Sequence, residues 1–151
     1  MSKTLGLLGL AKKAGYLVLG EEQSGIAAHA KKSRLLLTAS DAADNTVRRI
    51  NNFAEKANIL HISLPFTKDE LGDALGTTTC AAMAVTDAGM AANIAEKLEA
   101  ESPGKYTEAL TVLKEKADKI LQRKKEALKH EKNIQKGKHA SSEHKGRKIN
   151  G

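Results

Sequence analysis

Four short apolar runs constrain this chain more than any other feature: YLVL at 16–19, RLLLTA at 34–39, NILHISL at 58–64 and AAMAVT at 81–86. Each is short, rich in aliphatic residues and bounded by polar residues or glycine, which reads as a strand. RLLLTA is apolar almost throughout, as in a strand buried on both faces. Between the runs, apolar residues recur at helical spacing. Leu5, Leu8, Ala11 and Ala14 stripe a helix over 3–14, with Gly15 suited to the left-handed position after its end. Residues 21–32 form a second, Ala-rich helical segment ending in Lys31 and Lys32, cations that suit a helix C-terminus. Val47, Ile50, Ala54 and Ala57 stripe a third, and SDAADNT ahead of it supplies several N-caps. Thr67 and Glu70 have capping-box spacing before ELGDALG, a short helix that Gly76 closes. Asp87 caps a fifth helix with Ala91, Ile94 and Leu98 on its inner face. Strands alternating with helices predict an α/β layered domain over residues 1–100.

ESPG at 101–104 marks the predicted end of that domain, with Ser102 as an N-cap and Pro103 at the first helical position. Beyond it, Tyr106, Leu110, Leu113, Ala117, Ile120 or Leu121, and Leu128 stripe a long helix over 101–132. Its other faces carry Lys114, Lys116, Lys119, Arg123, Lys124 and Lys125. Residues 133–151 are polar and rich in Gly, Ser and Lys, a composition expected to be disordered.

The net charge of +7 is unevenly placed. Residues 1–100 hold 11 Lys/Arg against 11 Asp/Glu, whereas residues 101–151 hold 14 against 7. The basic character therefore belongs to the tail, and any nucleic-acid affinity of the domain must come from local arrangement. There is no Trp and only two Tyr and two Phe, too few for a row of base-stacking platforms. Cys80 is the only cysteine, which excludes a disulfide framework or a cysteine zinc cluster within one chain. MSKTLGLLGLAKKAGYLVLG resembles a signal peptide in outline, but glycines and the Lys12-Lys13 pair break its apolar run, so an amphipathic helix is the better reading. No run is long enough to span a bilayer, and a cytoplasmic location is expected.

Nothing in the chain points to catalysis. His29, His61, His130, His139 and His144 show no metal-ligand spacing, Cys80 has no neighbouring histidine, and no P-loop or dinucleotide-binding glycine pattern occurs. No metal, no cofactor and no enzymatic activity are expected. Two features remain. One is GEEQSGI at 20–26, where a glycine precedes a helix start that could face a phosphate or a base edge. The same acids would equally suit the helix dipole in a plain strand-to-helix turn. The other is the basic tail helix, which reads as a phosphate-binding element or as a solvated face.

The motifs LGLLGLAKKAGYLVLGEE, LLLTASDAADNT, LGDALG and AAMAVTDAGMA, in this order, resemble the small bacterial YlxQ/YbxF-like branch of the L-seven-Ae / L-thirty-e ribosomal-protein family. The resemblance covers residues 3–100. It implies a three-layer α/β/α sandwich on a four-stranded mixed sheet, and binding to structured RNA, typically the kink-turn with its tandem sheared G·A pairs. It also implies that the start of the second helix meets guanine edges and that the loop after LGDALG closes over flipped-out nucleotides.

Carried over by position, Gly20 fits the glycine that lets backbone approach RNA, and Gln23 fits the family's Glu/Gln. Glu22 stands where the family has Asn or Lys, and Ile26 where it has Lys. Guanine O6 and N7 are acceptors, so a lysine could donate to them and an isoleucine cannot. Thr77, Thr78, Thr79 and Cys80 occupy the second contact loop, where an arginine is often found. The resemblance thus implies an RNA surface of Gly20, Glu21, Glu22, Gln23, Ile26 and Thr77–Cys80. Lys12, Lys13, Lys31, Lys32 and Arg34 are candidates for a basic rim. The expected partners are ribosomal or kink-turn RNA and the ribosome, with a monomeric core domain and no membrane. The alternative is an assembly scaffold that has lost base readout and uses its tail helix on a protein partner.

Overall fold

The computed structural model describes residues 2–141. Four strands and the helices between them alternate as expected: α1 (Lys3–Lys13), β1 (Leu17–Leu19), α2 (Glu21–His29), β2 (Leu35–Thr38), α3 (Asp44–Ala57), β3 (Leu60–Ser63), α4 (Lys68–Leu75), β4 (Ala82–Val85) and α5 (Ala88–Glu101), followed by α6 (Thr107–Ser141). The sheet order is β1-β4-β2-β3. β4 runs antiparallel to both β1 and β2, and β2 is parallel to β3, so the sheet is mixed.

Strand alternation distributes the aliphatic side chains to two layers. Val18, Leu36, Ala82 and Ala84 pack with Ala27 and Ala28 of α2 and with Ile50, Phe53 and Ala54 of α3. The alternate residues Leu35, Leu37, Met83 and Val85 are fully buried and face the other layer, where α1, α4 and α5 supply Leu8, Leu71, Ile94 and Leu98. β2, the second strand from one edge, is buried at all four positions, as its sequence predicted. The α/β/α sandwich therefore has an aliphatic core on each side of the sheet. Within the first layer, Gly25 of α2 lies against the Phe53 ring so closely that a Cβ would sit 2.5 Å from it. Beside that layer, His61 Nδ1 lies 2.6 Å from the Asn51 carbonyl oxygen and Nε2 2.8 Å from Thr38 Oγ1. The amide oxygen can only accept, so Nδ1 carries the proton and Nε2 accepts from the threonine. Burial lowers the His61 pKa and favours this neutral form.

Helix ends are closed partly by remote carboxylates. Glu101, at the end of α5, accepts from the Ser2 and Thr4 hydroxyls and from the Lys3 and Thr4 amides at the start of α1. The Thr67–Glu70 capping box and the Asp87 cap on Met90 are both present. SDAADNT behaves differently from expectation. Ala43 sits at the N-cap of α3 and no side chain caps it, while Asp41 accepts from Lys68 N at the first turn of α4. α2 is also shorter than the sequence suggested: Ala30 is its C-cap and Lys31 turns left-handed at φ 61°.

The end of the domain differs too. Ser102 is the C-cap of α5, not an N-cap, and the next helix starts at Thr107. Glu99 accepts from Gly104 N, Tyr106 N and Thr107 Oγ1, which fixes the intervening turn. Tyr106 and Leu113 are buried. The chain divides into compact units at 1–114 and 115–151, so residues 101–114, read from sequence as tail, belong to the folded unit. α6 continues to Ser141, beyond residue 132, and the rest of the tail expected to be disordered lies outside the described residues. Among the described residues, no helix is long and apolar enough to cross a membrane.

Candidate nucleic-acid interface

Strand register brings three separate segments to one end of the sheet. Leu19, the last residue of β1, lies opposite Met83, and Gly20 N donates to Ala82 O at 2.9 Å. Thr38, the last residue of β2, lies opposite Ala82, and Ala39 N donates to Ala81 O at 2.9 Å. The start of α2, the loop after β2 and the loop before β4 therefore converge. Gly20–Gln23 and Thr77–Thr79, some 55 residues apart in sequence, are brought to the same end of the sheet by this pairing.

The α2 start is open. Gly20 adopts φ 99°, a conformation that only glycine takes at little cost, and it offers no side-chain cap. The first intrahelical bond is Ser24 N to Gly20 O, so the amides of Glu21, Glu22 and Gln23 precede the ladder. Glu21 turns toward α3, where Arg49 donates to its carboxylate at 2.7 Å. Hydrogen bonds from Arg49 and then Thr46 hold the Glu21 carboxyl below its usual range, and its charge is answered locally. Glu22, Gln23 and Ile26 share the outer face of the helix by their spacing, and all three are exposed, Ile26 by 56%. The positions that the resemblance singled out thus face outward together, with an acid and an aliphatic side chain among them.

The second loop is held from beneath by α4. Gly76, left-handed at φ 72°, ends that helix, and Thr77 N donates to Gly72 O at 2.8 Å. A Cβ on Gly72 would lie 2.4 Å from Thr78 O, so the loop seats directly on the helix backbone. Cys80 N donates to Lys68 O, and Asp41 accepts from Lys68 N, tying the loop after β2 into the same assembly. Thr77, Thr78 and Thr79 are exposed. Cys80 is not: it is buried, its Sγ donates to Ala82 O, and burial pushes the thiol pKa up. Its role is to anchor the loop from inside, which corrects its assignment as a contact residue.

The expected basic rim is split. Lys12 Nζ donates to Leu75 O at 2.7 Å, closing the C-terminus of α4 beside the threonine loop. Lys12 and Lys13 line a shallow cavity of about 460 Å³ between α1 and α4. Lys31, Lys32 and Arg34 lie at the other end of the sheet, where Arg34 N donates to Val85 O. Lys114 is 3.9 Å from Glu96 in an exposed pair, while Lys116, Lys119, Arg123, Lys124 and Lys125 are exposed along α6 in the second unit. Among the described residues, no group of His, Cys, Asp and Glu is arranged to hold a metal ion. Sequence reasoning missed Arg49, Asp41 and Gly72 as supports of this end. Only Gly72 had a visible signal, a glycine in the middle of a helical pattern.

The comparisons with known proteins agree with this fold. The chain is 27% identical over 97 residues to the RNA-binding protein YlxQ of Enterococcus faecium, covering 64% of this chain and 92% of that protein. A solved structure of a protein of unknown function from Bacillus halodurans C aligns with TM-score 0.62 and 29% identity, over 66% of this chain and 99% of that one. The 15.5kD RNA binding protein of Giardia lamblia aligns with TM-score 0.52 at 18% identity, over 64% of this chain and 84% of that one, a likeness of fold. The profile of the ribosomal protein L7Ae/L30e/S12e/Gadd45 family matches residues 2–95, more than half of the chain, and the protein belongs to that family.

Proposed function

We propose that this protein binds structured RNA without catalysis, through the sheet end where Gly20–Gln23 and Thr77–Thr79 converge. The observation that carries the reading is that strand register brings the open start of α2 and the exposed threonine loop to the same end of the sheet, with free amides on one and hydroxyls on the other. Such groups suit phosphate and sugar oxygens, which position a nucleic acid without reading its sequence. Family membership and the name of the Enterococcus relative support RNA as the ligand. A kink-turn is the target class that fits the placement of Gly20 and Gln23, and the ribosome is the setting suggested by the family. The cations Lys114, Lys116, Lys119, Arg123, Lys124 and Lys125 add affinity that is independent of sequence, each phosphate neutralised steepening the salt dependence by about 0.7–0.9 on a log–log plot.

A gel-shift titration against a kink-turn hairpin and a plain duplex tests this. Kink-turn RNA should bind more tightly at low salt. The double variant Glu22→Asn/Ile26→Lys should strengthen that binding by roughly tenfold, because one bidentate base contact is worth about 1–3 kcal/mol. Unchanged affinity in the variant would mean that this helix face does not meet the bases.

A second reading rests on a specific observation. Leu121 and Leu128 are 52% and 58% exposed on α6, an apolar pair that a protein groove could take. If removing residues 115–151 abolishes a protein contact but leaves RNA affinity and its salt dependence intact, the tail serves a protein partner.

A further inference from the structure

Four cations gather at the end of the sheet remote from the open helix start. Lys31, Lys32 and Arg34 come from the connection between α2 and β2, and Lys56 stands on α3 across a groove that it lines together with Lys31. All four are exposed, and none makes an ion pair among the described residues. The acids around this end are Glu55 beside Lys56 on α3 and Asp87 past β4, whose carboxylate is engaged by Met90 N, while Glu21 and Glu22 line the far part of the groove. Helix-dipole neutralisation does not account for the group. The last carbonyls of α2 are already answered by backbone: Ala30 N donates to Ile26 O, Lys31 N to Ala28 O and Lys32 N to Ala27 O.

The connection is also held in place. Ser33 is buried with its hydroxyl on Leu35 O, and Arg34 N donates to Val85 O, so Lys32 and Arg34 flank an anchored residue. Lys31 is the most informative of the four. It sits left-handed at φ 61°, just past the helix C-cap, where glycine would be less strained. A lysine there is costly for the fold, and its charge is what it adds.

We propose that this cluster is a second RNA contact, gripping the phosphate backbone of a stem that extends from the RNA held at the start of α2. The inference rests on the RNA-binding reading above. The nine residues of α2 separate the two contacts by about 13 Å at ~1.5 Å per residue. That is the length of only a few base-pair steps, so one continuous stem reaches both. The cations take backbone phosphates and therefore add affinity without sequence preference.

The test uses the full chain and two hairpin RNAs carrying the same kink-turn, one with a long flanking stem and one with that stem cut to two pairs. The wild type should prefer the long stem. Lys31→Gln/Lys32→Gln/Arg34→Gln should lose that preference and show a log–log salt slope shallower by about two, at ~0.7–0.9 for each phosphate that is no longer neutralised. Lys31→Gly should raise the thermal midpoint and yet weaken long-stem binding, an outcome that damage to the fold cannot produce. A triple variant with wild-type slope and stem preference would overturn the second contact and leave the first untouched. A wild type that binds neither hairpin at low salt would overturn the RNA reading and this inference together.

Discussion

Single residues decide how closely the threonine loop seats on α4. Gly72 has no φ requirement of its own; what matters is that Thr78 O occupies the space a side chain would need. Gly72→Ala should therefore destabilise the fold by about 1–3 kcal/mol, the usual range for forcing an extra methyl into packed space. Urea denaturation should show the lowered midpoint, and a wild-type midpoint would mean that the loop can lift off α4 at no cost. The same scale shows where the sequence was legible. Gly20, Gly76 and the Thr67–Glu70 pair stood where local turn and cap chemistry required them, so pattern reading found them. Asp41, Arg49 and the inward thiol of Cys80 were not legible, because their partners Lys68, Glu21 and Ala82 come from other elements or depend on strand register.

At the scale of elements, the strands were easier to read than the helix ends. Buried aliphatic runs announce themselves, whereas a cap can come from far away. Ser102-Pro103 has the local form of a helix start, yet α5 continues to Glu101 and Glu99 organises the turn from upstream. The junction of α1 and α5 makes a pH prediction. Burial tends to raise the Glu101 pKa, but bonds from the Ser2 and Thr4 hydroxyls and the Thr4 and Lys3 amides outweigh it and hold the pKa below the ordinary value. A carboxylate lowered on folding stabilises the native state above its unfolded pKa and loses that contribution as pH falls through the folded one. Thermal midpoints should therefore fall as pH drops below about 4.5. Glu101→Gln should lower the midpoint at pH 7 and flatten that acid limb. An unchanged acid limb would assign the sensitivity to other carboxylates, Glu99 among them.

For the whole molecule, the charge split still separates a neutral domain from a basic helix, but the cut falls after Lys114. The neutral domain includes the first turns of α6, since Tyr106 and Leu113 are buried and Glu99 secures the approach to them. Truncation after Lys114 should leave a cooperative domain with a thermal midpoint within a few degrees of the full chain. Truncation after Ala100 should lower the midpoint much further, because it removes Glu101 from the start of α1 and both buried side chains. Similar midpoints for the two would mean that residues 101–114 are only attached to the domain. A charge census could not place this boundary, because the burial of two residues decides it and neither is charged.

Among the helices whose starts are described, α1, α4 and α5 are closed by oxygens of the chain itself, while α2 and α3 begin at Gly20 and Ala43 without a side-chain cap. Both bare starts follow strands that end on the same side of the sheet. An RNA held as proposed above would offer phosphates to the amides that precede the α2 ladder, finishing a turn of secondary structure that the polypeptide leaves incomplete.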